Sequence, residues 1–334
     1  MAEKERQITT TAGIEASGHR LDLWLSRRFT YYSRNQWQGL IRNGSLLVNG
    51  KASKGSYRIK SGDKIDFFPD AKEPDVDRRF EVIYEDDFIM AVNKSGNIPC
   101  HPAGPYFLNT LWHELIQTAG LPENKIHFIN RIDRETSGIV LIAKNAETAG
   151  RFSAEKLITE KIYNVIVHGV FPEELSAEGF IYTPVRNAQN PDIELVRKKR
   201  FFSKDRKKDS EECRTEFRLI KTFDINGKKP GTHLSLIEAE LFSGRTHQIR
   251  ATLSSLGFHL VGDKLYGLDE TVFLRFIEDK MTDEDKQSLI LDRQALHSCL
   301  TSFIHPATGE KITVSALLPD DMKSLTGEIP PFEN

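Results

Sequence analysis

The chain has 334 residues, 39% hydrophobic and 28% charged, with a formal net charge of -2; this is globular usage with length for two domains, and it excludes a disordered polymer. Apolar runs such as Ile139 to Ala143 fall far short of the roughly 20 residues a bilayer crossing needs, and the mixed-charge start Met1 to Arg6 is no secretory signal, so a cytoplasmic protein without membrane contact is expected. Three scattered cysteines, Cys100, Cys213 and Cys299, argue against a disulfide framework and against a zinc site.

The small net charge conceals an asymmetry. Between Gly18 and Phe68 ten lysines and arginines face three acids, a surplus of seven that suits a polyanionic partner. In this stretch Leu21, Trp24, Leu25 and Arg28 share one face of a predicted helix. A second helix is expected from a Ser33 cap to about Arg42, stopped by Asn43-Gly44. The run Leu46 to Val48 enters an Asn-Gly hairpin at Asn49-Gly50, and Lys64 to Phe68 reads as a further short strand. Helix, helix and small sheet, with the Arg20-Leu-Asp start and Gly44-Ser-Leu-Leu-Val-Asn-Gly-Lys51, resemble the S-four type of RNA-binding domain. The resemblance implies that Arg20, Arg27, Arg28, Arg34, Arg42 and Lys51 face structured RNA; the plainer reading is a solvated basic helix pair.

The expected organisation is a tail over 1–17, this module over 18–68, a Pro- and acid-rich linker over 69–78, a large domain over 79–320 and a tail over 321–334. In the large domain Phe80 to Tyr84 and Phe88 to Asn93 read as strands. Thr110 to Thr118, with Asn109 as its cap, and Ala146 to Lys156 read as helices. Ile139 to Ala143, Ile162 to Val167 and His233 to Phe242 read as buried or half-buried strands. Because strands and helices do not alternate strictly, the expected class is α+β with a mixed, largely antiparallel sheet.

Three segments carry chemistry. Asn130 to Gly138 is a polar loop feeding a buried strand, and its Asp133, flanked by Arg131 and Arg134, is expected to stay ionised. Thr136 offers a hydroxyl to the same loop. By charge pattern alone, an ordinary ion-paired surface loop stands ahead. Ser243 to Arg250 is expected to open a helix continuing to Leu256 and closed by Gly257. Arg245, Thr246, His247 and Gln248 would then crowd its first turn as an anion grip, with Thr246 and Arg250 on one face; simple capping is the alternative. Tyr163 shares an apolar strand face with Val165 and Val167, where core filler is the commoner role of a tyrosine.

Together these segments resemble the RluA-type pseudouridine synthases. The matches, in order, are Asn93-Lys-Ser-Gly96 with His101-Pro102, Arg131-Ile-Asp-Arg-Glu-Thr-Ser-Gly138, Lys161-Ile-Tyr163, Gly244-Arg-Thr-His-Gln-Ile-Arg250, Gly262-Asp-Lys-Leu-Tyr-Gly267, and Leu296-His with His305-Pro306. The resemblance spans about Phe80 to Leu318 and implies the pseudouridine synthase fold. It also implies that Asp133 is the essential catalytic residue, that Tyr163 lies against the target base, that Arg250 pairs with the catalytic carboxylate and that Arg131 helps hold the gap left by a flipped nucleotide. Ile132, Asn130, Ser95 and His259 depart from the family's usual residues, which bears on substrate choice.

That reaction detaches uracil from ribose and reattaches it through carbon with no net change, so no cofactor or metal is expected; the sequence offers no GxGxxG, P-loop or metal-ligand cluster. Asp133 would act as nucleophile or as partner of a cationic sugar. Extruding the target costs a few kcal/mol, which stacking on Tyr163, worth ~1–3 kcal/mol, would partly offset. Arg197 to Lys208 holds eight cations in twelve residues, either a second phosphate contact or a solvated hairpin loop. The expected function is isomerisation of uridine in structured, ribosomal RNA by a monomer. The alternative is a catalytically silent RNA-binding or ribosome-assembly factor of the same fold. A glycosidase, which needs two carboxylates, ranks behind both.

Overall fold

The structure, a computed structural model, describes residues 8–29, 32–68, 73–122, 125–184, 199–225, 233–269 and 271–327. Two compact units divide the chain: Met1–Arg78 with Pro99–Leu121, and Arg79–Ile98 with Pro122–Asn334.

In the first unit, helices α1 (Leu21–Arg28) and α2 (Arg34–Arg42) pack over a sheet of β1 (Ile8–Thr11), β2 (Leu46–Val48), β3 (Lys51–Ala52) and β4 (Lys64–Phe67), in the order β1-β4-β2-β3. Strand β1 escaped the sequence reading, because its run of threonines has no apolar alternation. α2 starts where Ser33 and Gln36 form a reciprocal capping box. The β2–β3 hairpin turns through left-handed Asn49 and Gly50 (φ 51° and 71°), as an Asn-Gly pair favours. Leu21, Trp24, Leu25, Trp37, Ile41, Leu46 and Ile65 form the core. Arg28, expected on the apolar face of α1, is exposed, and Asp22 is buried instead. Helix α3 (Leu111–Gln117) also belongs to this unit rather than to the larger one. Its cap is Thr110, not Asn109: the Thr110 hydroxyl accepts from the His113 amide at 3.2 Å. The Asn109 side chain instead donates to the Pro74 carbonyl and accepts from Arg78.

The second unit is built on an 11-stranded sheet. Its strands are β5 (Phe80–Glu85), β6 (Ile89–Lys94), β7 (His127–Phe128), β8 (Ser137–Ala143), β9 (Ile158–His168), β10 (Glu174–Tyr182), β11 (Phe201–Ser203), β12 (Glu211–Asp224), β13 (His233–Leu241), β14 (Leu296–Ile304) and β15 (Lys311–Ser315). The order is β11-β10-β12-β13-β9-β14-β8-β6-β5, with β15 on β14 and β7 on β8. Among the described residues every pair is antiparallel except β14–β8, so the α+β class with a mixed, largely antiparallel sheet is what the chain adopts. Helices α4 (Ala146–Glu155), α5 (Gln248–Ser255), α6 (Thr271–Ile277), α7 (Asp283–Leu289) and α8 (Asp320–Thr326) complete it. Helix α5 lays Ile249 and Leu253 into the apolar face formed by Tyr163, Val165, Val167, Phe217, Ile237 and Ala239.

Two glycines permit the close approaches that bring the site together. Gly138, at φ 108°, opens β8 beside β14, where a Cβ would stand 2.2 Å from the Ser298 carbonyl oxygen. Gly262, at φ 73°, leaves no space either, since a Cβ would stand 1.9 Å from the Arg293 carbonyl oxygen. Any side chain would combine backbone strain with a backbone clash at both places. No helix of the described residues is long and apolar enough to cross a membrane.

Candidate active site

The loop leading into β8 ends at the parallel seam between β14 and β8, and Asp133 stands on it. The Thr136 amide donates to the Asp133 carbonyl at 3.1 Å. Asn130 ties the loop to β8, accepting from the Leu141 amide and donating to the Ile139 carbonyl. Lys94, fully buried, donates to the Arg134 carbonyl at 3.2 Å. The loop is thus held at its backbone, by the Thr136–Asp133 backbone bond and by the Asn130 and Lys94 side chains.

Helix α5 reaches Asp133 from 117 residues further along the chain, where Arg250 Nη1 donates to Asp133 Oδ2 at 2.6 Å. The other edge of the same guanidinium grips Asp263, with Nε to Oδ2 at 2.7 Å and Nη2 to Oδ1 at 2.9 Å. Asp263 is 1% exposed, and its Oδ1 also accepts the amides of Leu265 and Tyr266. Its loop is tied into the sheet where the Val261 amide donates to Ile166 and the Ala295 amide donates to Val261. A fork bonded along one whole edge is fixed in direction, so its remaining nitrogen has one place to point.

Electrostatics follows from this geometry. Burial disfavours the Asp133 charge, yet the Arg250 guanidinium outweighs it and holds the carboxyl below the ordinary range; Gln294 adds a hydrogen bond. The local charge pattern credited the flanking arginines, and the structure corrects that in favour of Arg250, the partner the resemblance implied. Arg131 is exposed, while Arg134 turns away to Asn97 and Glu135 at 3.0 and 2.7 Å. The cation that counts comes from a distant helix, because neighbours on a turn point to opposite sides. Asp263, fully buried where the Asp133 side chain is 31% exposed, is also held low, chiefly by Arg250.

The predicted anion grip is rebuilt by the structure. Helix α5 begins at Gln248, after a His247 with left-handed backbone (φ 58°), so Arg245 and Thr246 lie in the preceding loop and Thr246 does not share a helix face with Arg250. The cause is Gln248, which is 3% exposed and uses both ends of its amide as a staple. It accepts from the Ser243 hydroxyl and the Arg245 amide, and it donates to the Arg214 carbonyl and the Thr215 hydroxyl. Arg245 reaches the Glu212 carbonyl and Glu211, and Thr246 is exposed. Thr136 is buried, accepting from Gln294 at 2.5 Å. Of the expected set, the site unites Asp133, Arg250 and His247, whose Nε2 lies 3.8 Å from Asp133 Oδ2. Tyr163 is 7% exposed in the apolar cluster against which Ile132, the neighbour of Asp133, also packs. The sequence reading missed Asp263, Tyr266 and Gln294 as site residues. Asp263 and Tyr266 stand inside a recognised motif, yet no spacing rule connects them to Arg250.

His297 braces the floor beneath β8. Its Nδ1 lies 2.9 Å from the Ser137 hydroxyl and its Nε2 lies 3.2 Å from the Ala316 carbonyl. The carbonyl only accepts, so Nε2 carries the proton and Nδ1 accepts from Ser137. Burial holds both His247 and His297 down to about 4, against an ordinary 6.5. Between those values the unfolded chain takes up protons that the folded chain refuses, so stability is expected to fall as pH drops from about 6.5 to 4. Asp133 and Asp263, whose pKa is lowered, act in the same direction below the ordinary carboxylate range. Urea midpoints across this window check the slope. A His297 resonance titrating near 6.5 in the folded protein would contradict its cause.

In the first unit two of the six expected RNA-facing cations, Arg20 and Arg34, pair with an acid, and a third, Arg42, donates to the Gln38 carbonyl at 3.2 Å. Arg20 and Arg34 both donate to the buried Asp22, as does Gln38 at 2.6 Å, and Arg20 foremost holds that acid well below its usual range. They remain 37% and 47% exposed. Arg27, Arg28, Arg42 and Lys51 are exposed. Of the basic run, Arg197 and Lys198 lie outside the described residues. The rest is no plain hairpin loop: Phe201 to Ser203 form the edge strand β11 on β10, and Phe202 is buried. The exposed Lys204, Lys207 and Lys208 follow it.

Comparison with known proteins agrees with the geometry. The family model described as RNA pseudouridylate synthase matches residues 88–255, and that of the S4 domain matches residues 19–65. A Bacillus subtilis protein named an uncharacterized RNA pseudouridine synthase is 30% identical over 96% of this chain and 97% of its own length. A Zymomonas mobilis protein named ribosomal large subunit pseudouridine synthase D is 31% identical, covering 96% of each chain. Among solved structures, human RNA pseudouridylate synthase domain containing 1 shares the fold, with a TM-score of 0.52 and 22% identity over 75% of this chain and 86% of that one.

Proposed function

The chain belongs to the RNA pseudouridylate synthase family and is thus an isomerase of uridine in RNA, and on that premise we propose that it modifies structured large-subunit ribosomal RNA with Asp133 as its catalytic carboxylate. The observation that carries the reading is the 2.6 Å contact between Arg250 and Asp133, which keeps one carboxylate charged and aimed in a partly open site. Such a group serves either as nucleophile toward the sugar or as the counter-charge of a cationic one. Tyr163 and Arg131 assist by lining the base and by occupying the gap in the stack.

The ribosomal assignment is supported by relatives named as large-subunit synthases, of which that of Zymomonas mobilis is one. The N-terminal module supports it too, through exposed Arg27, Arg28, Arg42 and Lys51 as phosphate contacts that set register without reading sequence. Arg20 and Arg34 contribute the remaining charge from their Asp22 anchor; His247 stands beside Asp133, Arg245 and Thr246 offer exposed polar groups in the loop before α5, and Arg134, Thr136 and Gln248 hold the loops that carry the site. The enzyme acts as a cytoplasmic monomer.

Release of tritium from RNA labelled at carbon 5 of uracil tests the activity, and pseudouridine maps of ribosomal RNA with and without the gene test the substrate. The expected result is release from large-subunit RNA and loss of a discrete site in the deletion strain. Wild-type protein releasing no tritium from any cellular RNA would overturn the reading.

A further inference from the structure

Tyr266 sits at the hub of the site. It is fully buried, its ring lies under the Arg250 guanidinium at 4.8 Å, and its hydroxyl has two neighbours. The Arg200 amide donates to that oxygen at 2.7 Å, and His247 Nδ1 lies 3.0 Å from it. The amide occupies the oxygen as acceptor, so the hydroxyl proton has His247 Nδ1 as its partner in view. The opposite arrangement, with the imidazole proton on Nδ1, strands the phenol proton in a buried place. It also turns the Nε2 lone pair toward the Asp133 carboxylate 3.8 Å away. Both costs vanish when Nε2 carries the proton.

We propose that Tyr266 is a positioning residue: clamped by the Arg200 amide, its hydroxyl keeps the His247 proton on Nε2, so that His247 presents a hydrogen-bond donor beside Asp133 to an oxygen of the substrate nucleoside. The 3.8 Å separation is too long for a direct bond to Asp133 and leaves the donor available. Uridine offers acceptors there in its carbonyl and sugar oxygens. The same arrangement links the basic run to the chemistry, since Arg200 lies within it. His247 faces Asp133, Asp263, Arg250 and Arg200, and burial keeps it uncharged above about pH 4.

The substrate half of this inference rests on the function proposed above; the tautomer half does not. Nitrogen-15 spectra of the full-length protein, with His247 assigned by difference against His247→Gln, are expected to show a protonated Nε2 and an unprotonated Nδ1. Tyr266→Phe is expected to mix the two tautomers and to lower kcat about tenfold, the scale of one oriented hydrogen bond, with a smaller change in KM. Because that variant also strands the Arg200 amide, a second pair guards against misfolding. His247→Gln, whose amide nitrogen reaches the Nε2 position, is expected to turn over about tenfold faster than His247→Asn, whose amide reaches only Nδ1. A proton on Nδ1 in the wild type, or an asparagine variant as fast as the glutamine one, overturns the proposal. Absence of any pseudouridine from the wild type defeats the functional reading instead, while the spectra still decide the tautomer.

Discussion

Asp133→Asn is expected to lower pseudouridine formation by at least about 10⁴-fold, the scale seen when a central catalytic group is removed, while RNA affinity changes by less than about threefold. The substitution is nearly isosteric and keeps a carbonyl oxygen where Arg250 Nη1 donates at 2.6 Å, so the loop should hold its shape. What disappears is the charge. An amide is neither a nucleophile toward the sugar nor a counter-charge for a cationic one, so the result is the same under both chemistries. Affinity is retained because phosphate contacts, spread over the basic surfaces, dominate it. Single-turnover tritium release alongside a filter-binding isotherm separates the two quantities. Turnover within tenfold of wild type would remove Asp133 from its role.

Arg250→Ala is expected to lose activity on a similar scale and, unlike Asp133→Asn, to lose stability as well. The truncation leaves Asp263 with 1% exposure and only two amides as partners. Breaking a buried pair in this way costs about 3–5 kcal/mol, because the remaining charge cannot regain its water. For a unit of this size, that corresponds to a fall in Tm on the order of 10 °C. Arg250→Lys should recover little, since a point charge cannot grip Asp263 along one edge and still address Asp133 with the other. Raised pKa values for both carboxyls should accompany the change. Calorimetry showing an unchanged Tm would mean that the Asp263 pair is not what orients the arginine.

Much of the architecture was legible from local pattern. The Ser33 cap, the Asn49-Gly50 hairpin, the strands at Phe80 and Ile139 and the α4 helix (ending one residue earlier, at Glu155) fell where propensity and periodicity predict, since each depends on residues within one or two turns of chain. β1 was not legible, because pairing with β4 rather than its own alternation makes it a strand. The start of α5 was misread for a related reason: the Gln248 staple reaches partners 33 and 34 residues away, and it outcompetes the capping preference that spacing suggested.

The candidate site divides in the same way. By itself the sequence determined the residue types and their order: the polar loop with Asp133, the strand of Tyr163, the helix carrying Arg250 and the basic N-terminal module. The Asp133–Arg250 pair was implied by the family resemblance and is realised in the fold; only the tertiary structure assigned Asp263 to orient that arginine and turned Arg134, Thr136 and Gln248 to structural partners. Ion pairing falls off over a few ångströms in space and is blind to separation along the chain. Groups 117 residues apart therefore find each other only once the β14–β8 seam and the loop after α5 have closed.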